Sequence, residues 1–467
     1  MKNVRFVSKM THRMICLLLS LVLILVCAGC GKGDSSSDAK NGDENDITAG
    51  TGKKTFEELG LPKLDIKKDK VLYLCWHGSS EMDGPEDMFY HINSIMKEYY
   101  DVELEFVATT YEQLPTRAAQ MVLSGQSPDM IQYKPSEEPS FINNNIAQPI
   151  NDYIPFDNKW FKDKKEYMER YAVNGKNYTI KCGEVTNNGV VYYWKDKFVE
   201  AGEKTPWELY QEDKWTWSKF RELAKKFTVD ANNDGTPEVY GCEVDPMNMY
   251  MASGEDLVKV QDDGTYVNNM KSSGVAKAMS FLQAIGPSGD NSNGGNGDKF
   301  SKQGSVMLWG EAYISGQFVE HYNNGTMEFA PTPKMDGADK YYVPGKMDTD
   351  WFAAGAPNPE GVVAYMISSM LLWDDPYLNN EYNKVINKVK GYTPEAQEMC
   401  DTRFDEINNN KKFVRVLNRM SGVGNWNNSG MWGLMDEISK WGTPWTTCLE
   451  KYYSKFQSEI DAANIKS

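Results

Sequence analysis

Apolar residues along this chain follow two alternating rhythms. "KVLYLCW" (Lys70–Trp76) is a short apolar run and predicts a strand. In "DMFYHINSIMKEYY", Met88, Ile92, Ile95, Met96 and Tyr99 recur at helical spacing. "VELEFVA" alternates as a strand does, and "YEQLPTRAAQMVLSG" predicts a helix with Pro115 in its first turns and Gly125 as its stop. "DMIQY" predicts another strand, so the order β-α-β-α-β indicates an α/β sheet beginning near Leu64. Farther on, "GVVYYWKDKFVEAG" runs a strand into a short helix ending at Gly202. In "WTWSKFRELAKKFT", Thr216 is placed as N-cap, and Trp217, Phe220, Leu223, Ala224 and Phe227 share the face that predicts a core. "VYGCEVD" reads as a strand, Gly286–Asp298 as a loop, and about the last hundred residues as mainly helical.

The N-terminus breaks this pattern. Lys2, Arg5, Lys9 and Arg13 precede the apolar run Ile15–Val26, which has the length of a signal-peptide core and is short for an ordinary transmembrane helix. The run ends in "VCAGC", where Ala28 and Gly29 before Cys30 resemble a bacterial lipobox. Cleavage there makes residues 1–29 a lipoprotein signal peptide and Cys30 the lipid-modified N-terminus. The following stretch is almost devoid of apolar residues, so 30–63 is expected to be a disordered tether, its 25 or so most polar residues reaching roughly 25–30 Å.

Charge and cysteine content narrow the function. The net charge is −16, and loss of the basic leader leaves 46 basic against 66 acidic residues, which disfavours nucleic acid as a partner. Cys75, Cys182, Cys242, Cys400 and Cys448 are widely spaced and odd in number, a pattern of buried thiols rather than a disulfide framework or zinc site. No G-x-S-x-G, Walker lysine loop or H-E-x-x-H occurs, and His77, His91 and His321 share no ligand spacing. The chain is therefore expected not to be an enzyme, although its many carboxylates leave a glycosidase pair open.

Several segments, in order, resemble the extracellular solute-binding proteins of ABC importers, in particular the carbohydrate-binding family (family 1) that includes maltose-binding protein. They are "TRAAQMVLSGQSPDMIQY", "VVYYWKDKFVEAG", "WTWSKFRELAKKFTVDANNDGTPEVYG", "FSKQGSVMLWGEAY", "FAPTPKMDG" and "APNPEGVVAYM". The resemblance implies an α/β, two-lobed periplasmic-binding-protein-like fold (type II) with hinge-linked lobes and an interlobe ligand cleft. It implies 64–183 plus 353–420 as lobe one, 184–328 plus 421–467 as lobe two, and 329–352 as a hinge-crossing segment, with a last crossing at about 405–425. It implies a monomer on the extracellular face of the bacterial cell membrane, held by its lipid anchor, that delivers a carbohydrate, notably an oligosaccharide, to ABC permease subunits. A sensory or adhesive surface lipoprotein is the alternative.

Sugars offer apolar C–H faces and polar rims, matched by aromatic rings and by amide or carboxylate side chains. At family cleft positions the candidates are Trp76, His77, Tyr133, Asn187, Asn188, Trp309, Glu311, Tyr313, Asp350, Trp351, Trp441 and Trp445. The polar, aromatic "GNWNNSGMW" (Gly424–Trp432) is a candidate binding loop or a surface turn. No cofactor is required. "DANNDGTPEVYG" (Asp230–Gly241) has the first half of a calcium loop, but Gly241 stands where a bidentate Glu is needed. It reads either as a turn or as a structural calcium site built from Asp230, Asn232, Asp234 and the Thr236 carbonyl.

Overall fold

The computed structural model describes residues 52–76, 84–170, 172–180, 186–261, 263–286, 290–292, 297–346, 349–417 and 430–464. Residues 1–51 with Cys30, His77 and most of 424–432 lie outside the described residues. The end of the stretch expected as a disordered tether, 52–63, is folded instead, because Leu59 and Leu61 are buried in the first core with Phe56 against them.

The first stretch folds as its periodicity predicts. Strand β1 (Lys70–Cys75) is followed by helix α1 (Met88–Tyr100), β2 (Glu103–Ala108), α2 (Leu114–Leu123), β3 (Met130–Gln132) and α3 (Glu138–Asn143). β1 lies between β2 and β3, parallel to both. α1 buries Ile92, Ile95 and Met96 and ends at Asp101 in the left-handed region. α2 carries proline in its first turn, where no intrahelical N–H is lost. The buried Asp129 carboxylate accepts from the N–H groups of Leu72 (2.8 Å) and Asn358 (2.6 Å), fixing β1 to the start of a helix 229 residues later.

The middle stretch builds a second sheet with a separate core. β4 (Thr186–Asn187), β5 (Gly189–Trp194), α4 (Lys195–Ala201), α5 (Pro206–Gln211) and α6 (Trp217–Phe227) lead to β6 (Tyr240–Val244) and α7 (Pro246–Met251). A hairpin of β7 (Val258–Val260) and β8 (Tyr266–Asn268) precedes α8 (Ser273–Ile285), β9 (Ser305–Glu311) and β10 (Met327–Pro331). The sheet order is β10-β5-β9-β6, with β6 and β9 parallel and β5 antiparallel to β9 and β10. The Thr216 hydroxyl accepts from Lys219 N–H at the start of α6, whose buried face is the expected set from Trp217 to Phe227. Gly241 is required by packing: a Cβ there would lie 1.7 Å from the Ala224 carbonyl oxygen of α6.

The remaining chain returns to both cores. β11 (Tyr341–Lys346) pairs antiparallel with β4 through Gly345 and Asn187, and β12 (Asp350–Phe352) then joins the first sheet antiparallel to β3. Helix α9 (Pro359–Asp374) is apolar on nearly every face, as befits a helix buried all round, and packs with α10 (Pro376–Lys390) in the first core. Helix α11 (Pro394–Asn409) instead places Ala396, Cys400 and Ile407 beside Tyr192 and Phe329 of the second lobe, and Arg403 pairs with Glu328 at 2.5 Å. The change of core thus falls at 391–393, ahead of the 405–425 interval read from sequence. β13 (Phe413–Leu417) pairs parallel with β11, and α12 (Met431–Ser439) and α13 (Trp445–Asn464) close the second core. The architecture is the two-lobed α/β fold expected. Among the described residues no helix is long and apolar enough to cross a membrane.

The closeness of β6 to α6 gives a direct test. Gly241→Ala should force the two apart and cost about 3 kcal/mol of unfolding free energy, the upper part of the range for overpacking. Urea denaturation followed by fluorescence measures it.

Candidate functional site

The strands of a parallel sheet present their carboxyl ends at one edge, where loops can bring polar side chains together. In the first lobe this edge gathers Trp76 after β1, Tyr111 after β2, and Tyr133 and Lys134 after β3. The Trp76 ring meets Tyr111 edge-to-face at 5.0 Å, and its backbone N–H donates to Gln132 Oε1 at 2.9 Å. Lys134 is buried; its ammonium sits 4.2 Å from the Tyr111 ring centroid and donates to the Tyr111 carbonyl at 3.3 Å. Burial pushes the Tyr111 phenol up to about 12. Glu137 lies in the next turn, where burial raises its carboxyl above the usual range.

The second lobe offers an edge of opposite character. β6 and β9 end there in Asp245 and Glu311, and the antiparallel β5 begins there after Asn187 and Asn188. Asn188 Nδ2 donates to Glu311 Oε1 at 3.3 Å, and Asn188 N–H donates to the Pro344 carbonyl at 2.7 Å, which holds this edge to the crossing strand β11. Asp245 caps α7, accepting from the N–H groups of Met247 and Asn248. Burial pushes its carboxyl up to about 6, and the Glu311 carboxylate adds to the rise. Among the described residues the buried Nδ2 of Asn187 and Oδ1 of Asn248 have no hydrogen-bond partner. Gly189 is needed between them, since a Cβ would lie 2.6 Å from Pro344 and 2.9 Å from Asn248 Oδ1. Tyr313, two residues past Glu311, is mostly exposed.

Of the sequence candidates, Trp76 stands on the first edge, and Asn187, Asn188, Glu311 and Tyr313 share the second. Of the other described candidates, Trp309, Trp351, Asp350, Tyr133 and Trp445 are buried. Trp309 is fully buried against Trp217 and Phe220, because β9 is covered on both faces until Glu311. Trp351 is buried between Tyr133 (4.9 Å) and Phe141 (5.7 Å). Asp350 is buried and accepts from the Tyr73 hydroxyl at 2.5 Å. Tyr133 is itself buried, at the base of the first edge. Trp445 begins α13 within the second core, whereas Trp441 stands exposed on the surface. Sequence reasoning did not single out Tyr111, Lys134, Glu137 or Asp245; the usable signal was their position just past a strand's carboxyl end. A separate concavity of about 780 Å³ lies between α5 and α11, lined by Trp207, Tyr210 and carboxylates, and shares no residue with either edge.

In the Asp230–Gly241 loop the side-chain oxygens turn inward. Asp230 Oδ2 accepts from Gly235 N–H, Asn232 Oδ1 from Asp234 N–H, and Asp234 Oδ1 from Thr236 N–H. Glu238 accepts from Ala231 N–H. These are the local bonds of successive Asx turns, and Gly235 supplies the positive φ of 84°. Among the described residues no group of three or more His, Cys, Asp or Glu side chains is arranged to hold a metal.

Residues 92–316 match the family model of bacterial extracellular solute-binding proteins. Comparison with curated protein sequences returns no match. An ABC substrate-binding protein from Listeria monocytogenes, solved with cycloalternan, superposes at a TM-score of 0.59 and 15% identity, covering 85% of this chain and 100% of that one. A maltose/maltodextrin-binding domain from Bdellovibrio bacteriovorus, bound to maltotriose, gives 0.58 and 14%, covering 84% and 100%. A cyclic alpha-maltosyl-1,6-maltose binding protein from Arthrobacter globiformis gives 0.58 and 13%, covering 84% and 99%. The matched family is one of binding proteins, and the resemblance read from the motifs is borne out.

Asp245 makes the second edge sensitive to pH. Its folded-state value near 6 stands above the ordinary 3.8, so between about pH 4 and 6 the folded chain holds a proton that the unfolded chain has released. The stability contributed by this group therefore falls as pH rises through that window and is level above it. Asp245→Asn keeps an oxygen acceptor at the cap and removes the charge. It should raise the melting temperature relative to the parent at pH 7 and lose that advantage at pH 4.

Proposed function

With the family and fold of an extracellular solute-binding protein as premise, we propose that this chain captures an oligosaccharide between its two lobes and delivers it to an ABC permease. The observation that carries this reading is the pairing of unlike edges. Trp76 and Tyr111 offer aromatic surface with the Lys134 ammonium beside it on the first lobe's edge, and Asn187, Asn188, Glu311 and Tyr313 offer hydrogen-bonding groups on the second lobe's edge. Apolar faces and directed polar contacts are what a sugar ring needs. The sugar complexes of the similar structures support the same ligand class. In this reading Cys30 carries the lipid anchor and the polar stretch after it holds the monomer off the membrane. The Asp230–Gly241 loop serves as a turn that orients β6, and it needs no calcium.

A thermal-shift screen with malto-, manno- and raffinose-type oligosaccharides should find a sugar that stabilises the protein, by about 2.7 kcal/mol at one hundred times its Kd. Stabilisation by peptides or polyamines and by no sugar would reject the ligand class. Trp76→Ala should weaken that sugar's binding by at least about tenfold, the loss of roughly 1.4 kcal/mol. EDTA and added calcium should both leave the melting temperature unchanged.

A further inference from the structure

The two lobes meet at one buried carboxylate. Glu138, the first residue of α3, is 2% exposed. Its Oε2 accepts from the Tyr133 hydroxyl at 3.3 Å, within the first lobe. Its Oε1 accepts from the Tyr266 hydroxyl at 3.2 Å, and Tyr266 belongs to β8 in the core of the second lobe. The second-lobe end of this bridge is held firmly. Asn464, the last residue of α13, accepts from Tyr266 N–H through Oδ1 and donates to the Tyr266 carbonyl through Nδ2, both at 2.8 Å. At the other end of α3, Asn143 Nδ2 donates to the Ala463 carbonyl at 3.0 Å, a second hydrogen bond across the seam.

The first-lobe end of the bridge reaches the proposed ligand wall. Tyr133 and Glu138 bracket the single turn Pro135–Glu137, and their hydrogen bond closes it. That turn fixes Lys134, whose carbonyl accepts from Glu137 N–H at 3.0 Å and whose ammonium lies over Tyr111. The Tyr133 ring is pressed on Trp351, which follows the crossing strand β11. A buried carboxylate is stabilised by the hydrogen bonds it accepts, and among those of Glu138 are one from the first lobe and one from the second.

We infer that Glu138 is a positioning residue that couples the approach of the lobes to the placement of Lys134 and Glu137 on the ligand wall. The inference rests on the cleft as the ligand site. When the lobes separate, Glu138 loses Tyr266 and the turn before it loses its outer support; when they meet, the wall is set.

The test uses the full chain with Tyr266→Phe, Glu138→Ala and Glu138→Gln. Tyr266→Phe keeps its ring in the core, so its melting temperature should stay close to the parent's while the bridge is lost. Small-angle scattering without sugar should give a larger radius of gyration for Tyr266→Phe and Glu138→Ala. Glu138→Gln, which retains an acceptor and gains a donor for the two hydroxyls, should restore the parent's value. With maltotriose as probe, Tyr266→Phe should need about tenfold more sugar for half-saturation, as expected for a lost hydrogen bond to a charged group. Equal radii for Tyr266→Phe, Glu138→Ala and the parent would overturn the coupling. If no oligosaccharide binds the parent yet the radii differ as expected, the carbohydrate reading fails and the bridge stands.

Discussion

Everything about the cleft depends on how the chain crosses between two sheets. β11 is hydrogen-bonded to β4 before the chain enters the first sheet as β12, so the crossing is a strand with partners. Because β4 leads directly into β5, one short ladder fixes the start of the second sheet and the end of the hinge together. Gly189 allows Pro344 to lie against the chain at this point. The carboxyl edges of both sheets are thereby placed beside the same crossing. Asp129 performs a comparable service within the first lobe, joining residues distant in sequence through two backbone N–H groups.

The two edges differ in charge, and that difference has chemical content. The first carries an ammonium held against an aromatic ring; the second carries two carboxylates and two amides. In the proposed reading, a polyhydroxyl ligand meets donors on one side and acceptors on the other, and each hydroxyl can serve both roles. Asn187 Nδ2 and Asn248 Oδ1, buried and without a partner among the described residues, give the second edge polar capacity to spare.

Much of the fold was legible because amphipathic helices announce their buried face. Trp217, Phe220, Leu223, Ala224 and Phe227 recur at helical spacing and pack together. Strands covered on both faces give no such direction. β9 is apolar through Trp309, and nothing in its pattern says that this ring turns inward while Glu311, two residues on, reaches the edge. The same ambiguity hid Trp351. Lys134 and Asp245 were silent for another reason. A lone polar residue after a strand has no periodicity, and its role comes from neighbours distant in sequence, as Tyr111 is to Lys134 and Glu311 to Asp245. The resemblance put 353–420 in the first lobe, whereas α11 packs on the second, because an apolar helix face fits a core without saying which one.

The four described cysteines, Cys75, Cys242, Cys400 and Cys448, are all buried. Burial pushes the Cys400 thiol up to about 12 and the Cys448 thiol to about 11, far from the thiolate form that reacts. Cys400 and Cys448 are thereby held away from the form that oxidants attack. These sulfurs serve as small apolar groups, neither cross-linked by oxidants nor released by reductants. None of these four offers a surface thiol, so a cysteine introduced on either lobe would react with a maleimide dye ahead of them.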